Sequence, residues 1–308
     1  MNVLADFVCP VCYGPLELAA SDLLRCASDD LEFPCLDGIW RFLDPRRIDS
    51  YRDIIQDYEA GQLATGRRGE SEVFLRALPF VGFLGELEED WQLRAQSYRT
   101  LTRRLLSPVE MSLDRALNIL DLGAGNGWLS YRAAGRGHHA FAIDLLINRW
   151  DGLGAHTCYD LQFTPMQADF DNIPIRDCQA DIAVFNNSLH FSSDYETTLR
   201  EALRVLAPDG LLVIMDTPFF EEEDCGRALV ARRMTGAAYS SGNREDGMFL
   251  EGFLTSRRLD ALGDALQIRW NYIDSDSDWR QTLRSWTARL QGDDCLLASR
   301  VIVGRRQA

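Results

Sequence analysis

Three glycines, Gly123, Gly125 and Gly127, crowd into the stretch DLGAGNGW directly behind the apolar run LNIL. Glycine lets a backbone turn with positive φ and approach a ligand closely, so such a loop usually cradles a nucleotide. A triphosphate loop needs a lysine after its last glycine to meet the outer phosphates, and the chain has no lysine at all. A dinucleotide loop spaces its glycines G-x-G-x-x-G around a pyrophosphate. Here the third glycine comes one position early, and Trp128 stands where it belongs. Asp121 leads the loop, where its charge repels a pyrophosphate and attracts a cation. S-adenosylmethionine (SAM), which carries a sulfonium and an α-ammonium group and no phosphate, suits that loop.

Residues further along continue the pattern. Asp144 ends the run HHAFAID, 21 positions beyond Gly123. In a βαβ unit a carboxylate there accepts from both ribose hydroxyls. Asp169, in QADFDNIP, is placed to take an adenine amino group with Phe170 packing nearby, and Asp171 is a near neighbour that could replace it. Asn186, in ADIAVFNNSLHF, would close the pocket from the other side of the switch point. Displacement of a methyl group from a sulfonium is mostly a matter of positioning, and a base is needed only when the acceptor must lose a proton. His190 is the candidate for that base, its alternative being to cap or pack the next helix. Tyr195, Asp216 and Glu251 are weaker candidates for lining an acceptor pocket.

The chain has eight cysteines, four of them in the first 35 residues. CPVCYG places two thiols two residues apart with Gly14 to permit a tight turn, a spacing that suits one zinc ion. Cys26 follows, and Asp29 stands where a second knuckle would want its other ligand. Cys35 is the better zinc ligand chemically, but it lies several residues along an outgoing strand, too far away at about 3.3 Å per residue. The expected metal set is Cys9, Cys12, Cys26 and Asp29. The remaining cysteines are scattered singly and read as small core residues.

Bulk properties narrow the partners. The net charge is −15, and its field repels polyanions, which argues against a nucleic-acid substrate. No apolar run is long enough to span a bilayer, and the first residues lack a basic start followed by an apolar core, so a membrane is not expected and the expected location is the cytoplasm. Nothing in the sequence speaks to oligomeric state.

The elements that must hold these residues are legible in outline. From residue 117 onward, strand-like runs (LNILDLG, HHAFAID, FTPMQADF, ADIAVFNNS, LLVIMD) alternate with helix-like ones, as in an open parallel sheet. Leu199, Ala202, Leu203 and Leu206 give one helix its apolar face, with Pro208 and Gly210 predicted to stop it. ALQIRWNYI and LLASRVIVG are predicted to close the sheet as an antiparallel pair, with SDWRQTLRSWTARLQ helical between them. Ahead of the glycine loop, Ala95, Tyr98, Leu101 and Leu105 line one helical face. FLDPRRIDS reads as a boundary and AGQLATGRRGE as a mobile loop. This helical region is equally suited to cover a cleft or to connect two modules.

Taken in order, DLGAGNG, AID, ADF, DIAVFNNSLHF and LREALRVLAPDGLLVIMD resemble the motifs of class I SAM-dependent methyltransferases over residues 117–216. The nearest likeness is to the small-molecule type of ubiquinone and menaquinone biosynthesis. APDG stands where that family has Pro-Gly-Gly before its fifth strand. The resemblance implies that Asp121, Gly123 and Gly125 contact the methionine portion and Asp144 the ribose. It places adenine on Asp169 and Phe170, with backbone contacts from Asn186. CPVC, Cys26 and FPCLDGI resemble the small zinc ribbon found ahead of some bacterial methyltransferases, including certain ribosomal RNA enzymes, in a degenerate form. The expected fold is α/β: a doubly wound, Rossmann-like, mostly parallel sheet with an antiparallel last strand. The expected division is a zinc-ribbon-like module over residues 1–45, a helical connector or cap over 46–110 and a methyltransferase domain over 111–308. The expected function is methyl transfer from SAM to the oxygen, nitrogen or carbon of a small molecule. Its rivals are an rRNA or tRNA methyltransferase, which the ribbon suggests, and a SAM-binding protein without transferase activity.

Overall fold

The computed structural model describes residues 7–64, 71–81, 88–235, 251–274 and 300–307. The elements, in chain order, begin with four short strands, β1 (Glu17–Ala20), β2 (Leu23–Cys26), β3 (Leu31–Leu36) and β4 (Ile39–Arg41). Helices α1 (Pro45–Ala64), α2 (Glu72–Ala77), α3 (Glu88–Leu101) and α4 (Ser107–Leu113) follow. The alternating region holds β5 (Asn118–Leu122), α5 (Trp128–Ala134), β6 (His139–Asp144), β7 (Thr164–Gln167), β8 (Ala180–Asn186), α6 (Tyr195–Val205) and β9 (Leu206–Met215). Then come β10 (Phe219–Phe220), α7 (Glu223–Thr235), β11 (Leu254–Thr255), α8 (Ser256–Leu266), β12 (Ile268–Asp274) and β13 (Arg300–Arg306).

The chain divides into two units. The first comprises Met1–Arg76, Leu117–Val184 and Thr197–Leu212. Its strand order is β1-β2-β3-β4-β7-β6-β5-β8-β9. β5, β6 and β7 pair in parallel, and the chain reverses its direction of travel between β5 and β8. That reversal is the switch point of a doubly wound, Rossmann-like sheet, where the carboxyl ends of the strands open a crevice. β5 and β8 are buried almost throughout, as strands covered on both faces must be.

The amino-terminal strands do not stand apart as a module. β1 to β4 form antiparallel hairpins, and β4 then pairs in parallel with β7, Trp40 opposite Met166 and Arg41 opposite Gln167. Phe7, Trp40 and Phe42 pack ring against ring with Phe33, so this edge has its own aromatic core. FLDPRRIDS is a helix start: the carboxylate of Asp44 accepts from the Arg46 N–H at 3.0 Å, and α1 begins at Pro45, a first-turn position that suits a residue without an N–H. The expected loop AGQLATGRRGE begins inside that helix, since α1 continues to Ala64; residues 65–70 lie outside the described residues.

The second unit comprises Ala77–Ala116, Phe185–Glu196 and Val213–Ala308. Its strand order is β9-β13-β12, with β12 and β13 antiparallel from Ile268↔Arg306 to Asp274↔Arg300. The predicted closing pair is therefore present, while SDWRQTLRSWTARLQ lies outside the described residues. Ala95, Tyr98, Leu101 and Leu105 are buried, as their spacing predicted. Among the described residues no helix is long and apolar enough to cross a membrane.

Pro208 and Gly210 stand in a tight turn directly after α6, where a Cβ on Gly210 would be 2.9 Å from the Ala207 carbonyl, although β9 begins at Leu206. The last carbonyls of α6, of Arg204 and Val205, accept from the N–H groups of Cys178 and Gln179 at 3.1 and 2.8 Å. The scattered cysteines that the structure describes need correction, since they are not core residues. Cys158 is only half-buried and Cys178 exposed, and Cys225 is disulfide-bonded; Cys295 lies outside the described residues.

Candidate functional site

β5 delivers Asp121 into a place with no solvent access at all. An ionised carboxylate there needs partners. Its Oδ2 accepts from the backbone N–H and the hydroxyl of Ser130, at 3.1 and 2.9 Å. Burial pushes its pKa up to about 7. Its Oδ1 has no hydrogen-bond partner among the described residues.

The loop that follows turns on three glycines of positive φ, at 74° for Gly123, 54° for Gly125 and 78° for Gly127. Gly127 is doubly constrained, because a Cβ there would stand 2.5 Å from the Phe163 ring. The loop's donors point inward. The N–H groups of Gly123 and Ala124 donate to the Ile143 carbonyl at 2.8 and 2.9 Å, and that of Gly127 donates to the Ala124 carbonyl at 2.9 Å. Gly125 donates to the Asp144 carboxylate at 2.7 Å, and Trp128 to the Asn126 side chain at 3.2 Å. In the first turn of α5 the N–H groups of Trp128 and Ser130 are thus met by Asn126 and Asp121 rather than left for an anion.

Asp144, at the end of β6, is half-buried. One of its oxygens holds Gly125 and the other accepts from the Leu146 N–H at 2.8 Å. Burial raises its pKa to about 6. Each oxygen retains a second lone pair, so the carboxylate fixes the loop and still has acceptor capacity for two hydroxyls.

Asp169 is also nearly buried. Its Oδ2 accepts from the Tyr51 hydroxyl and pairs with Arg47 at 2.8 Å, and its Oδ1 accepts from the Asp171 N–H at 3.1 Å. Asp171 takes the Thr198 hydroxyl at 2.6 Å. Phe170, the next residue, is half-buried.

The α1 residues are the ones that sequence reasoning missed. Besides Arg47 and Tyr51, α1 supplies Tyr58, bonded to Asp151 at 3.3 Å, and Glu59, bonded to Asn148 at 2.8 Å. All these partners lie in the loops after β6 and β7. Within the first unit, then, α1 is bonded to the loops after β6 and β7.

The second unit holds the other predicted residues. Asn186, at the end of β8, is buried, and its Oδ1 has no partner among the described residues. His190 lies in the short turn Leu189–Phe191, buried, with its ring 4.2 Å from that of Phe191. The Tyr195 hydroxyl is spent on the Phe253 carbonyl at 2.9 Å, and Glu251 on Arg258 at 3.1 Å, so both have structural work. Asp216 is different: it follows β9 with φ 58°, and only its Oδ1 is bonded, by the Ser97 hydroxyl at 2.6 Å.

The metal set predicted from spacing does converge. The ligand atoms of Cys9, Cys12, Cys26 and Asp29 all lie within 4.8 Å of one another. Asp29 Oδ2 is 3.1 Å from the Cys9 sulfur and 3.3 Å from that of Cys26, and the sulfurs of Cys12 and Cys26 are 3.6 Å apart. Zinc–sulfur bonds of about 2.3 Å in a tetrahedron give edges of about 3.8 Å, so the four groups fit a zinc ion with small shifts. The knuckle geometry also fits, with the Val11 N–H donating to the Cys9 sulfur at 3.4 Å. A Cβ at Gly14 would stand 3.2 Å from the Cys12 sulfur, a tight approach that glycine avoids. Without a cation, burial pushes the Cys9 thiol up.

Residues 120–214 match the family described as Methyltransferase domain. The malonyl-[acyl-carrier protein] O-methyltransferase of Erwinia pyrifoliae is 29% identical over 129 residues, 41% of this chain and 46% of the relative. The dimethylglycine N-methyltransferase of Parasynechococcus marenigrum is 32% identical over 102 residues, 32% of this chain and 36% of the relative. The chain thus spans less than half the length of these curated relatives. Among solved structures, a Burkholderia thailandensis 1,6-didemethyltoxoflavin-N1-methyltransferase superposes with a TM-score of 0.45 at 15% identity, covering 95% of this chain and 99% of that one.

Proposed function

We propose that this protein is a SAM-dependent methyltransferase acting on a small molecule. The observation that carries the reading is the direction of the loop's donors. Phosphate recognition needs outward N–H groups, and those of Gly123, Ala124, Gly125, Gly127 and Trp128 are satisfied within the fold. What the crevice edge offers is the Asp144 carboxylate, with the Asp121 carboxylate buried behind the loop, which suits a cationic nucleoside with free hydroxyls. The match of residues 120–214 supports the same reading, and the relatives' names support a small acceptor.

Bound SAM supplies an electrophilic methyl carbon: the acceptor's lone pair forms the new bond, the C–S bond breaks, and its electron pair returns to sulfur to leave S-adenosylhomocysteine. The chain's own groups bind and orient. Asp144 takes the ribose hydroxyls, and Asp121, Gly123 and Gly125 meet the methionine portion. Asp169 and Phe170 receive adenine, and Asn186 adds backbone contacts. Arg47 and Tyr51 position Asp169 by holding its Oδ2 and leaving a lone pair on Oδ1 for the amino group. Tyr51→Phe is therefore expected to weaken S-adenosylhomocysteine binding about 5-fold, the worth of roughly 1 kcal/mol. Calorimetric titration checks this, and unchanged affinity would separate Asp169 from adenine recognition.

His190 is the proposed base for acceptors that must lose a proton. Turnover in His190→Ala is expected to fall by about 100-fold; a variant that turns over like the parent removes His190 from the mechanism. We place zinc on Cys9, Cys12, Cys26 and Asp29 as a structural ion bracing the β2–β3 hairpin against the knuckle. The whole reading is tested by titrating the protein with S-adenosylhomocysteine, which must bind.

A further inference from the structure

The ends of β8 and β9 in the second unit hold a group of polar side chains that the cofactor reading does not use. The Asn187 N–H donates to the Met215 carbonyl at 2.8 Å, which brings the two strand ends together. Both Asn187 and Asp216 adopt left-handed backbone, φ 55° and 58°, a conformation that non-glycine residues keep only when their surroundings hold them there. The holding contacts are visible. With its amide turned to satisfy both groups, the Asn187 side chain donates to the Asp216 carbonyl and accepts from Arg94, each at 2.9 Å. Arg94 is itself fixed over the Trp91 ring, 4.7 Å from its centroid. Ser97 on α3 donates to Asp216 Oδ1 at 2.6 Å.

This frame leaves Asp216 with one oxygen committed and the other not. Oδ2 is inaccessible to water and has no partner among the described residues. Two more oxygens on the same strand ends share that condition, Asn186 Oδ1 and Thr217 Oγ1, on residues that are each 91% buried. Leaving buried acceptors unpaired is costly, and a carboxylate oxygen more so than a neutral one. A fold that fixes this residue's backbone through Asn187 and one carboxylate oxygen through Ser97, and then leaves the second oxygen bare, is arranged for a ligand that brings donors. A carboxylate with neighbouring neutral acceptors matches an ammonium group, which offers several N–H donors and a positive charge, better than a hydroxyl with its single donor.

We infer that Asp216, oriented by Ser97 and Asn187, is the recognition group for a primary or secondary amine, and that the methyl acceptor is an amine-bearing small molecule: the bound ammonium gives one proton to Asp216 Oδ2, and the nitrogen lone pair so freed forms the new N–C bond as the C–S bond breaks and its electron pair returns to sulfur. The inference rests on the methyltransferase reading for its biological sense, but its test separates the two. Full-length protein, Asp216→Asn and Ser97→Ala are each given SAM labelled in the methyl group. The acceptors are a panel of amines, each paired with the alcohol of the same skeleton, such as ethylamine with ethanol and benzylamine with benzyl alcohol. S-adenosylhomocysteine affinity is measured in parallel for all three proteins.

Label is expected in amines and not in their alcohols. Asp216→Asn should lose at least 30-fold in kcat/KM, chiefly through KM, while retaining S-adenosylhomocysteine affinity within a factor of two. Ser97→Ala should lose less, about 3- to 10-fold. Retained cofactor affinity also shows that each variant is folded. Transfer only to alcohols or carboxylates, transfer to none of the panel by protein that binds S-adenosylhomocysteine, or unchanged KM in both variants would overturn the inference and leave the cofactor reading standing. Failure of the unaltered protein to bind S-adenosylhomocysteine would overturn the cofactor reading itself.

Discussion

Asp144→Asn should lower the affinity for S-adenosylhomocysteine by about 100-fold, roughly 2.7 kcal/mol. Two charge-assisted hydrogen bonds from ribose hydroxyls are at stake, and each is worth about 1.5–3 kcal/mol when the acceptor is ionised. Asparagine keeps one acceptor oxygen but puts an amide donor where the other stood. Asp144 also fixes the glycine loop through Gly125 and Leu146, so part of the loss will come from a looser loop.

The effect has a pH signature whose sign follows from burial. The carboxyl of the unliganded protein has its pKa raised to about 6, and binding to hydroxyl donors favours its ionised form. Above about pH 6 the group is ready for the ligand. Below that, binding must first expel a proton, and affinity falls by up to about 10-fold per pH unit. In Asp144→Asn the part of the limb that sets in near pH 6 should vanish, leaving only what Asp121, raised to about 7, contributes. Titrations at several pH values check both statements; a variant with the parent's affinity and the parent's pH profile would remove Asp144 from ribose recognition.

Removal of zinc is the other change with a large expected effect. Freshly purified protein should carry about one zinc per chain. A strong chelator should lower the thermal midpoint by roughly 10 °C, about 3 kcal/mol for a domain of this size. Cys9→Ser should neither retain zinc nor respond to the chelator. The reason is local: the ribbon end of the sheet is made of strands of three to six residues. With no metal, three thiols and a carboxylate within 4.8 Å of one another would be joined only by weak thiol hydrogen bonds. Zinc-free protein whose midpoint ignores the chelator would mean that the cluster is held by its hairpins alone.

Much of the cofactor side was legible because its signals are local. Asp121, the glycines and Asp144 lie at the ends of apolar runs that specify β5 and β6, and a parallel sheet brings those ends to one edge. Cys9, Cys12, Cys26 and Asp29 were legible for the same reason, each pair sitting within a tight turn. What escaped was long-range. Tyr51 and Asp169 are 118 residues apart, and Ser97 and Asp216 are 119 apart; no periodicity or motif links them. The joining of β4 to β7 escaped as well, since edge pairing depends on backbone groups that every residue carries. Pro208 and Gly210 were legible as well, because turn chemistry is local: the chain folds back there so that a Cβ on Gly210 would be 2.9 Å from the Ala207 carbonyl.

The central claim is that a loop whose donors are turned inward and whose ligand-facing groups are carboxylates holds SAM. It is tested most directly by calorimetric titration of the intact protein with S-adenosylhomocysteine and, in a parallel cell, with NAD. The account predicts saturable binding of one S-adenosylhomocysteine per chain at micromolar concentration or below, and none of the dinucleotide. Binding of NAD without binding of S-adenosylhomocysteine, or of neither, would contradict it.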